Sequence, residues 1–122
     1  MWNNKPEFPF FVSTEVRPLS AVERSIVIRL VSEKAPDFTP QLDQLVVVGR
    51  CGCGVCPTVF FQSHHAENRE LEVASYIGRG SPGGLVAAVL LRSDEQLSQL
   101  EFYSVDGHEP YGAPDPESLE SR

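Results

Sequence analysis

The stretch that decides the fold runs over residues 85–105 and reads LVAAVLLRSDEQLSQLEFYSV. A polar segment, residues 93–96, divides it into two apolar runs, 85–91 and 97–105. Residues 85–101 could also form a single helix. The acidic pair in the polar segment and the aromatic pair near the end favour a β-hairpin, because acids suit turns and aromatic residues are enriched in strands. The stretch therefore predicts two antiparallel strands.

Three further runs with β character precede this hairpin, at residues 45–48, 58–61 and 71–77. The first two are joined by the glycine-broken segment 51–56, so together they predict a second hairpin. The third ends in a turn, residues 78–84, whose glycines match the spacing of the dinucleotide-binding fingerprint. That fingerprint requires a helix directly after its last glycine. The run that follows here is strand-like, which disfavours a nucleotide site.

One helix is predicted before the strands, at about residues 21–34. Ser20 and Glu23 have the spacing of a capping box, in which each side chain accepts a hydrogen bond from the backbone N–H of the other residue. An apolar stripe at helical spacing follows. Pro36 ends the run, because proline pushes the preceding residue out of helical conformation. The residues of the stripe are Val22, Ile26, Val27, Leu30 and Val31.

The order of these elements predicts the fold class. Because sequential strands usually pair, we expect an α+β domain in which one amphipathic N-terminal helix packs on an antiparallel meander of four to five strands. A chain of 122 residues has the length of one domain. We assign residues 1–17 to an extended N-terminal arm that could include a short edge strand, 18–109 to the domain and 110–122 to an irregular, acidic tail that contains prolines. The apolar residues 8–12 of the arm are expected to cover part of the second face of the sheet.

The charge of the chain is negative and concentrated towards its end. The formal net charge is −7, and residues 94–122 hold eight of the 17 acidic residues but one of the 10 basic ones. An acidic surface repels phosphate backbones and anionic lipid head groups, so neither nucleic acid nor a membrane is an expected partner. The longest apolar run, 85–91, is far shorter than the roughly 20 residues of a membrane helix, and the first residues do not resemble a secretory signal. We therefore expect a cytoplasmic protein with reduced thiols.

The three cysteines, Cys51, Cys53 and Cys56, all lie in one short segment. A disulfide framework spreads an even number of cysteines along the chain, so this cluster points to a different use. Cys53 and Cys56 have the Cys-x-x-Cys spacing with which a tight turn presents two sulfurs to one zinc ion. Cys51 is a candidate third ligand, and His64 or the adjacent His65 is a candidate fourth. Zinc is therefore the candidate cofactor.

Other uses of the same cysteines compete with metal binding. A redox-active Cys-x-x-Cys normally lies at a helix N-terminus, which lowers the thiol pKa, whereas a strand-like run follows Cys56. A cysteine nucleophile with His64, His65 or His108 as its base would also need a carboxylate partner that the sequence does not single out. The simplest alternative is a hairpin loop in which glycines allow the turn and cysteines pack as small apolar groups. The lack of a specific catalytic constellation favours a protein that is not an enzyme.

Two segments of the chain resemble a group of small uncharacterised bacterial proteins. They are RCGCGVCPT at residues 50–58 and LEFYSVDG at residues 100–107, the latter followed by PDPESL at residues 114–119. The similar proteins look like single-domain α+β chains with a cysteine-glycine hairpin and a late strand that ends in an aspartate-proline tail. The resemblance covers residues 45–119. It implies no established activity and no functional residue, and it suggests an accessory-genome origin such as a mobile gene cassette.

Two functions are compatible with these observations. The first is a non-enzymatic accessory domain that binds another protein or its own copy. In that case we expect a homodimer formed through a strand edge or through the arm at residues 8–12, with the acidic tail outside the interface. The alternative is a small zinc-binding or thiol-redox protein that uses Cys51, Cys53 and Cys56. The metal content of the purified protein distinguishes the two.

Overall fold

The computed structural model describes residues 12–53, 56–62, 69–80, 83–107 and 111–121. This part of the chain forms one α-helix, two 3₁₀ segments and seven strands. In chain order they are β1 (Val12–Arg17), α1 (Ala21–Lys34), a 3₁₀ segment (Pro36–Gln44), β2 (Val47–Cys51), β3 (Val59–Phe60), β4 (Glu70–Arg79), β5 (Leu85–Ser93), β6 (Gln96–Ser104), a second 3₁₀ segment (Pro116–Ser118) and β7 (Glu120–Ser121). The strands form one sheet in the order β1-β2-β3-β6-β5-β4-β7, and each neighbouring pair is antiparallel.

The fold class is α+β, as predicted, but the sheet has seven strands where the sequence predicts four to five. The two added strands form its edges. β1 lies in the segment predicted as an extended arm and pairs with β2, with Val12 opposite Cys51. β7 pairs with β4, with Ser121 opposite Tyr76. The arm is the place where a short edge strand could form, and β1 is that strand. β7 has no alternating pattern of apolar and polar residues, so the sequence does not predict it.

The sequence predicts a single meander, but the strands do not follow one another in that order. Two shorter meanders, β1-β2-β3 and β6-β5-β4, are joined where β3 pairs with β6, with Val59 opposite Leu100. β6 therefore has a strand on each side and lies in the interior of the sheet. This join also brings the loop between β2 and β3 close to the middle of the sheet rather than leaving it on a detached hairpin.

The ambiguous stretch at residues 85–105 forms the β5–β6 hairpin and not a helix. Leu90 lies opposite Leu100, and the turn residues Asp94 and Glu95 fall within the predicted polar segment. Asp94 has a φ of 57°, a left-handed value that aspartate adopts more readily than most residues. The hairpin prediction is confirmed.

α1 has the predicted bounds, and its N-terminus is the predicted capping box. The Glu23 N–H donates to Ser20 Oγ at 3.1 Å, and the Ser20 N–H donates to Glu23 Oε1 at 2.8 Å. The prediction that Val22 belongs to the buried stripe is wrong, since Val22 is 42% exposed. Helical spacing turns the next residue inward instead. The buried stripe consists of Glu23, Ile26, Val27, Leu30 and Val31.

Glu23 is buried because it has a cationic partner on β1. Arg17 donates from its two terminal nitrogens to the two carboxylate oxygens of Glu23, at 2.9 Å each. Burial acts to raise the pKa of Glu23, but the hydrogen bonds from Arg17 and from the Ser20 N–H outweigh burial and hold that pKa below its ordinary value of 4.5. The ion pair thereby links the edge strand to the start of the helix.

We expect Glu23→Gln to lower the free energy of unfolding by about 2 kcal/mol at neutral pH, the scale of hydrogen bonds to a charged group. A carboxyl group whose pKa is lower in the folded state stabilises the protein above its unfolded pKa, and that stability is lost as the pH falls through the folded value. The difference in the free energy of unfolding between parent and variant should therefore become smaller when urea unfolding is repeated well below pH 4.5. Glu95→Gln, at an exposed position of the β5–β6 turn, is the matched control. A difference that persists unchanged in acid would contradict this role of the carboxylate.

The C-terminal segment packs against β4 and α1, whereas the sequence predicts an irregular tail. Leu119 is 2% exposed and belongs to the hydrophobic core. Arg29 of α1 donates to the Pro116 carbonyl at 3.0 Å, and the Asp115 N–H donates to the Arg79 carbonyl of β4 at 2.9 Å. The acidic side chains of the segment remain exposed, whereas Pro114 and Leu119 are buried.

A polar contact beneath the helix joins α1 to the sheet. Tyr76 of β4 is buried, and its hydroxyl donates a hydrogen bond to the Glu33 carboxylate of α1. Arg29 Nε lies 3.2 Å from Glu33 Oε2, and its guanidinium lies 5.5 Å from the centre of the Tyr76 ring. Because Arg29 also reaches the C-terminal segment, one arginine holds helix, sheet and C-terminal segment together.

Residues 1–11 lie outside the described part of the chain, and with them most of the predicted arm at residues 8–12. The expected cover of the second sheet face by this arm, and the homodimer expected to form through it, stay predictions. Among the described residues, no helix has the length and the apolar character needed to cross a bilayer.

Candidate metal centre

The three cysteines meet at the loop that joins β2 to β3. Cys51 is the last residue of β2, Cys53 lies in the turn, and Cys56 lies before β3. Their sulfur atoms all lie within 4.8 Å of one another, and the sulfurs of Cys53 and Cys56 are 3.3 Å apart. None of the three forms a disulfide bond. The structure thus brings together the three cysteines that the sequence spacing singles out.

Hydrogen bonds to the neighbouring strands position this loop. The Cys51 N–H donates to the Thr58 carbonyl at 3.1 Å, which closes the loop at its base. Thr58 is buried, and its hydroxyl donates to the Phe102 carbonyl at 3.3 Å and accepts from the Phe102 N–H at 3.0 Å. The end of the loop is therefore fixed to β6 in the interior of the sheet, which limits how far the cysteines can separate.

Backbone N–H groups point at two of the sulfurs. The Cys56 N–H lies 3.3 Å from Cys53 Sγ, and the Cys53 backbone donates a hydrogen bond to Cys51 that lowers the Cys51 pKa. Hydrogen bonds from backbone amides stabilise the thiolate over the thiol, and they orient metal-binding sulfurs. The backbone N–H groups of the loop therefore lie where they stabilise negative charge on these two sulfurs.

Without a cation, this charge is unfavourable. Burial, followed by the side chains of Cys53 and Cys56, raises the pKa of the Cys51 thiol to about 12. Three sulfurs held this close repel one another once they are ionised, and a bound cation reverses that effect, because it attracts each thiolate. Ionising all three cysteines without a cation would therefore cost free energy, whereas a bound cation would stabilise the three thiolates.

The same geometry disfavours thiol catalysis. Cys56 is followed by Pro57 and then by β3, so no helix N-terminus is present there to lower a thiol pKa. The raised pKa of Cys51 leaves little thiolate at neutral pH, and the thiolate is the nucleophile.

A tetrahedral zinc site needs a fourth ligand besides the three cysteines. His64, predicted as the fourth ligand, lies outside the described residues, and so do His65 and His108. In the part of the chain that the structure describes, the three cysteines form the only group of three or more potential metal ligands. Cys53 is exposed and Cys51 and Cys56 are half-buried, so the cluster is accessible to an incoming ion or side chain.

Comparisons with protein-family models, curated proteins and solved structures found no match for this chain. The resemblance to small bacterial proteins with a cysteine-glycine hairpin therefore stays a prediction.

Proposed function

We propose that this protein binds one zinc ion through Cys51, Cys53 and Cys56, with His64 as the fourth ligand. The observation that carries the proposal is the convergence of three sulfurs within 4.8 Å on a short loop. Zinc holds sulfur at about 2.3 Å, which places tetrahedral sulfur ligands about 3.8 Å from one another. To reach that spacing, the sulfurs of Cys53 and Cys56, now 3.3 Å apart, would move apart by about 0.5 Å, and no other pair would need to approach by more than about 1 Å.

The choice of metal follows from the ligands. Thiolates are soft donors that select zinc and other soft ions over magnesium or calcium. Four protein ligands in a tetrahedron close the coordination sphere, which is typical of structural zinc sites rather than catalytic ones. A closed site of this kind agrees with the absence of a specific catalytic constellation in the sequence.

The metal would stabilise the fold by linking two segments of the chain. β3 has two residues, so the ladder through which the two meanders join is short. An ion bound to the end of β2 and to the segment before β3 would stiffen the place where the two meanders join. The protein would then be a non-enzymatic, zinc-stabilised accessory domain of a reducing, cytoplasmic compartment, in which the thiols stay free to bind metal.

The experiment is metal analysis of protein purified without a histidine tag, followed by titration with Co²⁺. We expect about one zinc per chain and an absorption spectrum with sulfur-to-cobalt charge transfer and the visible bands of tetrahedral cobalt. A zinc concentration a thousandfold above the dissociation constant should raise the free energy of unfolding by about 4 kcal/mol. Cys53→Ser should weaken zinc binding strongly.

His64→Ala and His65→Ala form a matched pair for the fourth ligand. The first should lower zinc affinity and shift the cobalt bands, and the second should change neither. If the purified protein contains no zinc and takes up no cobalt, or if Cys53→Ser binds as well as the parent, the proposed function is wrong. Equal effects of the two histidine variants would remove His64 from the ligand set.

A further inference from the structure

Two of the three cysteine sulfurs lie closer together than two sulfur ligands of one zinc ion. Cys53 Sγ and Cys56 Sγ are 3.3 Å apart, whereas two sulfurs on a tetrahedral zinc ion lie about 3.8 Å apart. A disulfide bond joins sulfurs that are about 2.0 Å apart. The observed separation lies between these two values, and an approach of about 1.3 Å would bring the pair to a covalent bond.

The backbone of Cys51 is held more firmly than that of the other two cysteines. Cys51 is the last residue of β2, where it pairs with Val12 of β1, and its N–H donates to the Thr58 carbonyl at 3.1 Å. Cys53 and Cys56 lie outside the strands, in the turn and before β3. We therefore expect Cys53 and Cys56 to approach each other more readily than either approaches Cys51.

Cys53 is the accessible member of this pair. Its side chain is exposed, whereas Cys56 is half-buried. The Cys56 N–H lies 3.3 Å from Cys53 Sγ, where it stabilises a thiolate. A bound zinc ion would also keep both sulfurs deprotonated, because cysteine binds metal as the thiolate. Cysteines that respond to peroxides combine an accessible thiolate with a second cysteine close by, and this pair has both features.

We propose that Cys53 and Cys56 form a peroxide-sensitive dithiol, and that its oxidation to a disulfide releases zinc from the site. The release of zinc rests on the proposed function, whereas formation of the disulfide does not. A disulfide sulfur carries no negative charge, and the thiolate is the form that binds metal. Oxidation would leave zinc with Cys51 and His64, which is two ligands short of a tetrahedral site.

The oxidant is hydrogen peroxide, and the reaction has two steps. First, the Cys53 sulfur attacks one peroxide oxygen, so that an S–O bond forms, the O–O bond breaks, hydroxide leaves and Cys53 becomes a sulfenic acid. Second, the Cys56 thiolate attacks the Cys53 sulfur, so that the S–S bond forms, the S–O bond breaks and a second hydroxide leaves. The two sulfurs lose two electrons in total, and the peroxide gains them. Two protons from the solvent convert the hydroxides to water, and zinc leaves as Zn²⁺ with its oxidation state unchanged.

The oxidised and the zinc-bound protein would differ in how the β2–β3 loop is held. A zinc ion on Cys51 and Cys56 links the end of β2 to the segment before β3, whereas a disulfide between Cys53 and Cys56 closes a short ring within the loop. The loss of a ligand that binds the folded protein lowers its stability. Because Cys53 is exposed, the disulfide would be accessible to a reducing thiol, which would make the change reversible.

The experiment is a titration of the zinc-loaded full chain with hydrogen peroxide, in which free thiols and released zinc are measured in the same sample. The three cysteines of the chain all lie in this loop, so the loss of thiols reports on this site alone. We expect two thiols to be lost and one zinc ion to be released per chain. Treatment with dithiothreitol, followed by added zinc, should restore both.

Peptide mapping identifies the cysteines that pair. Trypsin cleavage after Arg50 and after Arg69 gives one peptide that contains all three cysteines. When the oxidised protein is alkylated before digestion, we expect the label on Cys51 and none on Cys53 or Cys56. The peptide should also have lost two hydrogen atoms relative to its reduced form.

Cysteine variants in the metal-free state separate the dithiol from the zinc site. Cys51→Ser is the matched control, because it removes one cysteine of the cluster and keeps the pair. It should form the disulfide at the rate of the metal-free parent. Cys53→Ser and Cys56→Ser should each lose thiols about tenfold or more slowly, and the amide NMR spectrum of each variant verifies that it is folded.

Several results would overturn this inference and leave the proposed function in place. They are retention of zinc after the thiols have been oxidised, a disulfide that includes Cys51, oxidation of single cysteines without a disulfide, and equal rates for Cys51→Ser and Cys53→Ser. The opposite outcome is a protein that contains no zinc and takes up none, yet forms the disulfide between Cys53 and Cys56. That outcome would contradict the proposed function and the release of zinc, and it would support the dithiol.

Discussion

Leu30→Ala is expected to lower the free energy of unfolding by about 2–5 kcal/mol, a large part of the roughly 5–15 kcal/mol that stabilises a domain. Leu30 is 0% exposed and lies in the core beneath α1. Its truncation removes apolar contacts and leaves a cavity that a packed sheet cannot fill. The measurement is equilibrium unfolding in urea, with the change read from the midpoint at an unchanged slope.

Ile28→Ala is the matched control on the same helix. Ile28 is 40% exposed, so its truncation creates no enclosed cavity. It should change the free energy of unfolding by no more than about 0.5 kcal/mol. The two substitutions remove side chains of equal size from positions two residues apart. If their urea midpoints move by the same amount, the orientation of α1 on the sheet is wrong.

Gly78→Val is expected to detach the C-terminal segment and to lower the free energy of unfolding by about 3 kcal/mol. A Cβ at residue 78 would lie 2.8 Å from Ser118 Oγ, 2.9 Å from Leu119 Cδ2 and 3.0 Å from Pro114 Cβ. The first two distances are shorter than real Cβ contacts, so the Ser118 and Leu119 side chains must shift, and the two γ-methyl groups of valine extend further into the segment. Its movement exposes Leu119 and breaks the hydrogen bond that the Arg79 N–H donates to Ser118 Oγ at 2.8 Å.

Amide hydrogen exchange reports this detachment directly. The Asp115 N–H, which donates to the Arg79 carbonyl, should lose its protection in Gly78→Val while the amides of α1 keep theirs. Gly83→Val is the control, because a Cβ there meets nothing within 4 Å. Full protection of Asp115 in the residue 78 variant would show that the close packing of the segment on Gly78 is not needed.

The local elements of the fold could be predicted from the sequence. The Ser20–Glu23 spacing correctly predicted the start of α1, because a capping box satisfies backbone N–H groups within one turn. The polar segment at residues 93–96 correctly predicted the β5–β6 turn. Both features depend on interactions between residues that are close in the chain, which a sequence pattern records.

The edges of the sheet could not be predicted in the same way. β7 consists of Glu120 and Ser121, which carry no strand signal of their own. The strand forms because Leu119 is buried against Gly78 and holds the next two residues beside β4. The glycine spacing at residues 78–84 resembled a nucleotide motif, whereas Gly78 lies in β4 and contacts the C-terminal segment.

The candidate metal centre could be recognised in the sequence, whereas the row formed by Ser75, Val89 and Glu101 could not. Cys51, Cys53 and Cys56 are close in the chain, so their spacing already limits how far apart their sulfurs can lie. Ser75 and Glu101 lie 26 positions apart in the sequence, and strand register alone brings them to one row. No spacing rule links them, because β5 supplies the residue between them.

The sequence by itself determined the helix, its cap, the turns and the cysteine loop, since each depends on forces that act within a few residues. Only the tertiary structure decided which residue of the first helical turn is buried, which strands form the edges and which polar residues lie in one row across β4 to β6. Glu23 replaces Val22 in the buried stripe because Arg17, on a different element, offers its carboxylate two hydrogen bonds. Such choices depend on the free energy of contacts between distant segments, and that free energy exists only once the segments have packed together.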